Sequence, residues 1–265
     1  MPETIEQKPP KKKLVNWEEL SRQIKASQFY KSMFRRDYKD TPRNRALAVI
    51  GNVWLHLHPV KVRKHGIRYS FTWGMGGISF YLFLVLLVSG VLLMFYYRPS
   101  IPEAYHDMKF LEFDVPFGMF LRNIHRWSGH AMVVTVWLHM LRVFMTGSYK
   151  PPREFNWGVG VVLLTFTLLL SFTGYLLPWD QLALWAVTVG TNMAKATPFL
   201  GAEGPFSIVD AASDVRFALL GGRIVGPNAL LRFYVFHCIA FPLIFLVFLS
   251  VHLWRVRKDG GISGP

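Results

Sequence analysis

Four long apolar runs occupy about half of the chain after residue 65. They lie at about residues 70–97, 122–143, 156–178 and 232–255. An α-helix needs about 20 apolar residues to cross the hydrocarbon core of a bilayer. The pattern therefore predicts an all-α membrane protein, in which residues 66–265 form one domain built on a bundle of four transmembrane helices.

Residues 1–65 show a different pattern, polar and basic with scattered apolar positions. From Asn16 onward the apolar residues fall loosely on one helical face, with arginines and lysines between them. This pattern predicts amphipathic helices that lie along the membrane interface, and docking of these helices on a partner protein is the alternative. His56, His58 and His65 lie in basic surroundings here, which favours an interfacial position over metal binding.

The chain carries a formal net charge of +14, and 52% of its residues are hydrophobic. A basic balance can indicate nucleic-acid binding, but with four apolar runs it indicates a bilayer surface, so no nucleic-acid partner is expected. Basic residues collect in the N-terminal arm, in the loop after the second run and near the C-terminus, whereas the loop 98–122 holds four acidic residues. The positive-inside rule then places both termini on the cytoplasmic, negative side of the membrane.

Two of the apolar runs carry histidines at matched intervals. His125 and His139 are fourteen residues apart, and His237 and His252 are fifteen apart. Both intervals return the second ring to nearly the same helix face, roughly 21 to 22 Å further along the axis. A lone histidine in a membrane helix is more often a hydrogen-bonded member of the bundle. Two matched pairs instead predict two stacked haems, each held by one histidine from each helix.

The other two runs carry glycines at the same interval. Gly76 and Gly90 are fourteen residues apart in the first run, as are Gly160 and Gly174 in the third. Glycine at these points would let a flat macrocycle approach the helix backbone closely. Glycines also serve helix packing in membranes, so either pair alone would be weak evidence. The repeated interval favours the cofactor interpretation.

Cys238 is the only cysteine of the chain, so an intrachain disulfide is excluded. No Cys-x-x-Cys-His motif is present, and the usual covalent attachment of a c-type haem is therefore not expected. Cys238 follows a candidate haem ligand, and we interpret it as a small apolar residue within the bundle.

Several motifs resemble those of cytochrome b, and more narrowly the short cytochrome b6 type. They are His125-Arg126-Trp127, the stretch Gly174-Tyr175-Leu176-Leu177-Pro178-Trp179-Asp180-Gln181, Leu231-Arg232-Phe233-Tyr234 and the closing Gly261-Ile262-Ser263-Gly264-Pro265. The resemblance covers roughly residue 66 to the end. It implies the cytochrome b subunit of a quinol:cytochrome c oxidoreductase of bc or b6f type, a proton-translocating enzyme in which this subunit is not active alone.

The resemblance also implies roles for individual residues. His125 and His237 would bind a haem b near the positive side, and His139 and His252 a second one near the negative side, both non-covalently. Electrons from quinol oxidised at the positive side would pass through both haems to quinone reduced at the negative side. Further candidates are Gly76, Gly90, Gly160 and Gly174 for close approach of the haems, Arg122, Arg126 and Arg142 for haem propionates, and Pro178, Trp179, Asp180 and Gln181 for the quinol site.

The chain departs from the family in two respects. The Pro-Glu-Trp-Tyr motif of the quinol-oxidation site is absent, so a separate subunit carrying the second half of cytochrome b is expected. Gly74 stands where some b6-type proteins carry a cysteine for an extra covalent haem, so that haem is not expected. The other implied partners are a Rieske iron–sulfur protein and a c-type cytochrome, in a dimeric complex of an energy-transducing membrane such as the bacterial inner membrane.

Two other classes fit parts of the pattern. A di-haem anchor subunit of a hydrogenase or formate dehydrogenase also uses four helices and histidine pairs, but the motif at residues 178–181 and the glycine intervals argue against it. A transporter or a purely structural membrane subunit would leave the histidine pairs unexplained. A haem spectrum distinguishes a cytochrome from the second class. Co-purification with a Rieske-type protein distinguishes a quinol:cytochrome c oxidoreductase from the first class.

Overall fold

The computed structural model of the protein describes residues 16–33, 40–50 and 64–259. Within these ranges the chain is helical and contains no β-strand. The N-terminal arm contributes α1 (Trp17–Ala26), α2 (Gln28–Met33) and α3 (Pro42–Ile50). His65 lies in a short 3-10 turn, whereas His56, His58 and the motif at residues 261–265 lie outside the described residues.

The rest of the described chain holds nine further helices, four of them long. In order they are α4 (Tyr69–Thr72), α5 (Met75–Met94), α6 (Glu103–Phe113), α7 (Gly118–Met145), α8 (Glu154–Leu176), α9 (Gln181–Ala194), α10 (Val215–Leu220), α11 (Pro227–Val235) and α12 (Phe241–Lys258). A π-helical segment, Phe236–Ala240, joins α11 and α12 into one continuous helix.

Three helices of the described chain are long and apolar enough to cross a membrane, namely Met75–Met94, Glu154–Leu176 and Pro227–Lys258. The shortest has 20 residues. At 1.5 Å per residue it is about 30 Å long, which matches the hydrocarbon core of a bilayer. The fourth long helix, α7, has 28 residues but is less apolar, because histidines and arginines interrupt it.

The first apolar run is divided where the sequence shows no interruption. Trp73 and Gly74 both adopt left-handed backbone angles, with φ values of 54° and 66°, and separate α4 from α5. The guanidinium of Arg142 donates to the carbonyl of Phe71 at 2.7 Å and lies 4.5 Å from the ring centre of Trp73. A contact from another helix thus supports this turn, and hydropathy alone does not reveal it.

The four long helices pack side by side around an apolar middle layer. Helix α5 packs along α7, α8 packs along α12, and α7 contacts α8. Phe83, Met132, Leu163 and Phe245 are buried between them, and the rings of Phe83 and Phe245 stack with centres 4.9 Å apart. Phe83 lies seven residues from both Gly76 and Gly90, so this layer separates two levels of the bundle.

One end of the bundle is covered by α2. The hydroxyl of Ser32 donates to the carbonyl of Pro152 at 2.8 Å and accepts the N–H of Phe155 at 3.2 Å, so it caps the start of α8 from a distant part of the chain. Arg255 donates to the Ser32 carbonyl at 2.5 Å, and Phe29 packs edge-on against Phe155. The N-terminal arm, the loop before α8 and the end of α12 therefore meet here.

The opposite end is covered by α6, α9 and α10. Tyr97, three residues beyond the end of α5, donates its hydroxyl to the carbonyl of Leu177 at 2.7 Å. Arg98 pairs with Asp107 of α6 at 2.6 Å, and this contact lowers the pKa of Asp107 below its usual range. Val187 and Leu220 are fully buried in the apolar cluster at this end. The long connection at residues 178–232 therefore braces the bundle.

Candidate functional site

The structure brings the four spaced histidines together as two facing pairs. The ring centres of His125 and His237 are 6.2 Å apart, with their planes at 79°. Those of His139 and His252 are 6.4 Å apart, with their planes at 85°. Each pair joins α7 to the continuous helix Pro227–Lys258, and the apolar middle layer lies between the two pairs.

The gap within each pair has the width of one metal ion. An imidazole nitrogen binds a metal at about 2.0 Å, so two such bonds in line, with the two ring radii, separate the ring centres by roughly 6 Å. Both pairs match this distance. In the part of the chain that the structure describes, no group of three or more His, Cys, Asp or Glu side chains could hold a metal. Two facing imidazoles at this distance fit a metal that brings its remaining ligands with it, as haem does.

A glycine from a neighbouring helix lies against each ring. A Cβ atom built at Gly90 would lie 3.1 Å from Cε1 of His125, and one built at Gly174 would lie 2.5 Å from Cε1 of His237. At the other level, a Cβ atom at Gly76 would lie 3.3 Å from Cε1 of His139, and one at Gly160 would lie 3.9 Å from Cε1 of His252. From the sequence we predict that the glycines make room for a macrocycle. In the structure they make room for the edges of the four histidine rings.

Two hydroxyl groups, which the sequence analysis missed, hold one pair of rings. Nδ1 of His125 lies 2.9 Å from the hydroxyl oxygen of Ser89. Nδ1 of His237 lies 3.2 Å from the hydroxyl oxygen of Thr173 and 3.0 Å from the carbonyl of Leu170. A signal for both was present in the sequence, because each hydroxyl residue directly precedes one of the spaced glycines.

The π-helical segment explains how the fifteen-residue interval from His237 to His252 can match the fourteen-residue interval from His125 to His139. In it the N–H of Phe241 bonds to the carbonyl of Phe236, five residues back instead of four. One turn of this kind contains one residue more than an α-turn without changing the register of the flanking helix. His237 and His252 therefore take the same relative positions as His125 and His139.

The candidate arginines have protein partners at two of three positions. Arg122 pairs with Glu112 of α6 at 2.9 Å. Arg142 binds the carbonyls of α4 and stacks on Trp73. Arg126 is exposed on α7, and its guanidinium is the one of the three for which the structure gives no internal role.

The stretch Pro178–Gln181 forms the turn between α8 and α9. Trp179 has a φ of 50° and is buried in the apolar cluster at this end of the bundle. Asp180 caps α9 by accepting the N–H of Ala183 at 2.8 Å. Trp179, Asp180 and Gln181 also line an open depression together with Tyr105, a residue that sequence analysis did not select.

Comparisons with known proteins show which family the chain belongs to. Residues 63–260 match the family model described as Cytochrome b/b6/petB. Cytochrome b6 of Gracilaria tenuistipitata var. liui is 44% identical over 191 residues, 72% of this chain and 83% of the relative, and that of Acaryochloris marina is 40% identical over the same shares. A chain of a solved structure, "Hyperthermophilic respiratory Complex III", has a TM-score of 0.67 and 30% identity over 77% of this chain. The match spans half of that chain's length.

Gly174→Ala is expected to disturb the His125–His237 pair, because its methyl group would lie 2.5 Å from a ring carbon of His237. Gly158→Ala is the matched control on the same helix, since its methyl group would meet a ring carbon of Phe29 at an ordinary 3.6 Å. Reduced-minus-oxidised spectra of the purified protein should show a lower haem content in Gly174→Ala alone. Equal haem content in the two variants would contradict the close packing of glycine and histidine.

Deletion of Ile239 is expected to convert the π-helical segment to α-helix and to leave both histidine pairs in place, because the interval becomes fourteen residues. Ile239 is 46% exposed, so little packing is lost. Deletion of Val134, which is 58% exposed, is the control. It shortens a purely α-helical interval and rotates His139 by about 100° relative to His125. A pyridine haemochrome assay should find two haems in the variant that lacks Ile239 and fewer in the variant that lacks Val134. Fewer haems in the Ile239 deletion than in the Val134 deletion would refute the role of the π-helical segment.

Proposed function

The chain belongs to the cytochrome b family, as the cytochrome b subunit of a bc- or b6f-type quinol oxidoreductase, and we propose that it conducts electrons through two non-covalent b haems. The observation that carries this proposal is the stacking of two histidine pairs, each with room for one metal ion. Bound haem would supply a one-electron carrier at each level. The protein supplies two imidazoles per level, an apolar layer between levels and glycines that admit the rings.

The fold of the haem domain is proposed to be a four-helix transmembrane bundle. Three of its helices have the length and hydropathy of membrane spans. We assign α7 as the fourth span, because it packs along α5 and against α8, and because its polar residues are the two proposed ligands and the arginines near its ends. Helices α1 and α3 are proposed to lie along the membrane interface, where the exposed Trp17 and Ile24 of α1 would meet lipid.

The orientation in the membrane follows from the ends of the bundle. The three basic regions of the chain meet at the end where Ser32 contacts Pro152 and Arg255. Positive charge favours the cytoplasmic side, so we place this end and both termini on the negative side. His252 lies three residues before Arg255, so the His139–His252 pair is the negative-side one. The His125–His237 pair then lies toward the positive side.

Quinol would be oxidised near the positive-side pair and quinone reduced near the negative-side pair. The Pro-Glu-Trp-Tyr motif is absent here. We propose that a subunit carrying the second half of cytochrome b completes the quinol site, with Pro178–Gln181 at its border. The other proposed partners are a Rieske iron–sulfur protein and a c-type cytochrome in a dimeric complex. A covalent third haem is not proposed, because the position for its cysteine holds Gly74, with a φ of 66° that favours glycine.

His139→Leu is expected to remove the negative-side haem and keep the other. A redox titration of the purified complex should lose one of two components, because only one histidine pair is broken. His130→Leu is the control on the same helix, since His130 is exposed and bonds to the carbonyl of Arg126. Two unchanged components in His139→Leu would exclude this residue as a ligand.

Purification of the native complex is expected to yield a protein with a Rieske-type cluster and a separate cytochrome b second-half subunit. Mild detergent extraction followed by mass spectrometry and low-temperature EPR of the cluster provides the measurement. A complex containing only dehydrogenase subunits would contradict the proposed partners. A complex without haem would contradict the proposed function itself.

A further inference from the structure

We propose that Ser89 and Thr173 are positioning residues that fix the tautomers of His125 and His237, and thereby lower the reduction potential of the haem between them. The inference rests on the proposed function, because it requires a haem at this level. Both hydroxyl residues are buried within the bundle, with 4% and 2% of their surface exposed. Each directly precedes a glycine that touches the same histidine ring.

The proton positions follow from the partners of Ser89. Its hydroxyl oxygen lies 2.6 Å from the carbonyl oxygen of Val85, to which it donates its single proton. Toward Nδ1 of His125, at 2.9 Å, the same oxygen can then only accept. Nδ1 therefore carries the hydrogen in a neutral ring, and Nε2 keeps its lone pair for a metal.

Thr173 gives the same result for the opposite ring. Its hydroxyl donates to the carbonyl of Leu169 at 2.8 Å and accepts from Nδ1 of His237 at 3.2 Å. The carbonyl of Leu170, at 3.0 Å from the same nitrogen, can only accept. Both partners require a hydrogen on Nδ1, so Nε2 of His237 is also unprotonated.

The second haem level lacks this arrangement. The residues that precede Gly76 and Gly160 are Met75 and Val159, and neither carries a hydroxyl. The two levels thus have the same ligand type and the same ring spacing, but a different residue at the position before the glycine. The position before the glycine therefore distinguishes the two levels chemically.

The hydrogen bonds affect the iron through the rings. An imidazole that donates its Nδ1 hydrogen to an acceptor is a more basic ligand at Nε2. A more basic ligand stabilises ferric iron, which has the higher charge, more than ferrous iron. Removal of either hydroxyl should therefore weaken the preference for ferric iron and raise the potential of this haem alone. The smaller rise is expected for Thr173→Val, because the carbonyl of Leu170 still accepts from Nδ1 of His237.

Redox titrations of the purified complex with Ser89→Ala and Thr173→Val test the proposal. Loss of such a partner changes metal affinity by about 10-fold or more. If the whole loss falls on the ferric state, a tenfold change in the ferric-to-ferrous affinity ratio raises the potential by about 59 mV. The same substitutions in a His139→Leu background assign the shift, because only the His125–His237 haem remains there. Ser89→Thr and Thr173→Ser keep a hydroxyl and should keep the wild-type potential.

Ser79→Ala and Thr167→Val are matched controls on the same two helices. Ser79 bonds to Met75 and Thr135, and Thr167 bonds to the carbonyl of Leu163, so neither hydroxyl reaches a histidine. Both potentials should stay unchanged in these variants. An upward shift of one haem in Ser89→Ala or Thr173→Val, absent from the controls, supports the proposal.

Three results would contradict either this inference or the proposed function. Two haems with unmoved potentials in both hydroxyl variants would overturn the inference and leave the proposed function intact. Equal shifts of both haems, or the same shift in the controls, would also overturn it, since the effect would not be local. A wild-type complex without two haem components would overturn the proposed function instead. If one variant does not assemble, the other carries the test, because each acts on a different ligand.

Discussion

Helical register is the constraint on which the rest of this structure depends. The two stacked, flat cofactors that we propose require every surrounding helix to present a suitable residue at two levels, roughly 21 Å apart for fourteen residues of α-helix. Helix α7 meets this requirement with His125 and His139, whereas α5 and α8 meet it with glycines. The continuous helix Pro227–Lys258 has one residue too many, and the π-helical segment accommodates it locally. The residues between the two levels are then free to be apolar, and Phe83 and Phe245 stack there.

Sequence periodicity predicts the positions of the histidine pairs and of the glycines, because these positions depend only on spacing along single helices. What the sequence does not reveal depends on contacts between helices. Arg142, a candidate for a haem propionate, also supports the turn at Trp73, and no pattern within the apolar run indicates that turn. Ser32 caps a helix more than a hundred residues away. The roles of Trp179 and Asp180 in a helix-to-helix turn likewise require the packed structure.

The two ends of the bundle solve different physical problems. At the end with Ser32, a hydroxyl and a buried arginine join three chain segments that carry much of the positive charge. Such charges are stable only outside the hydrocarbon core, so this end must lie at an interface. At the other end, ion pairs such as Arg98–Asp107 and a fully buried apolar cluster hold short helices over the bundle.

The protein has few means of making two chemically similar sites behave differently. Both levels have two imidazoles, nearly perpendicular ring planes and glycines against the rings. Changing a ligand would alter the cofactor chemistry, and changing a glycine would move a ring. The residue before each glycine is under neither restriction, because it is neither a proposed ligand nor one of the glycines that lie against the rings. A serine or threonine there adds a hydrogen bond without changing the bundle, since the hydroxyl also bonds to its own helix. Tuning at this position is therefore compatible with the register that holds both sites.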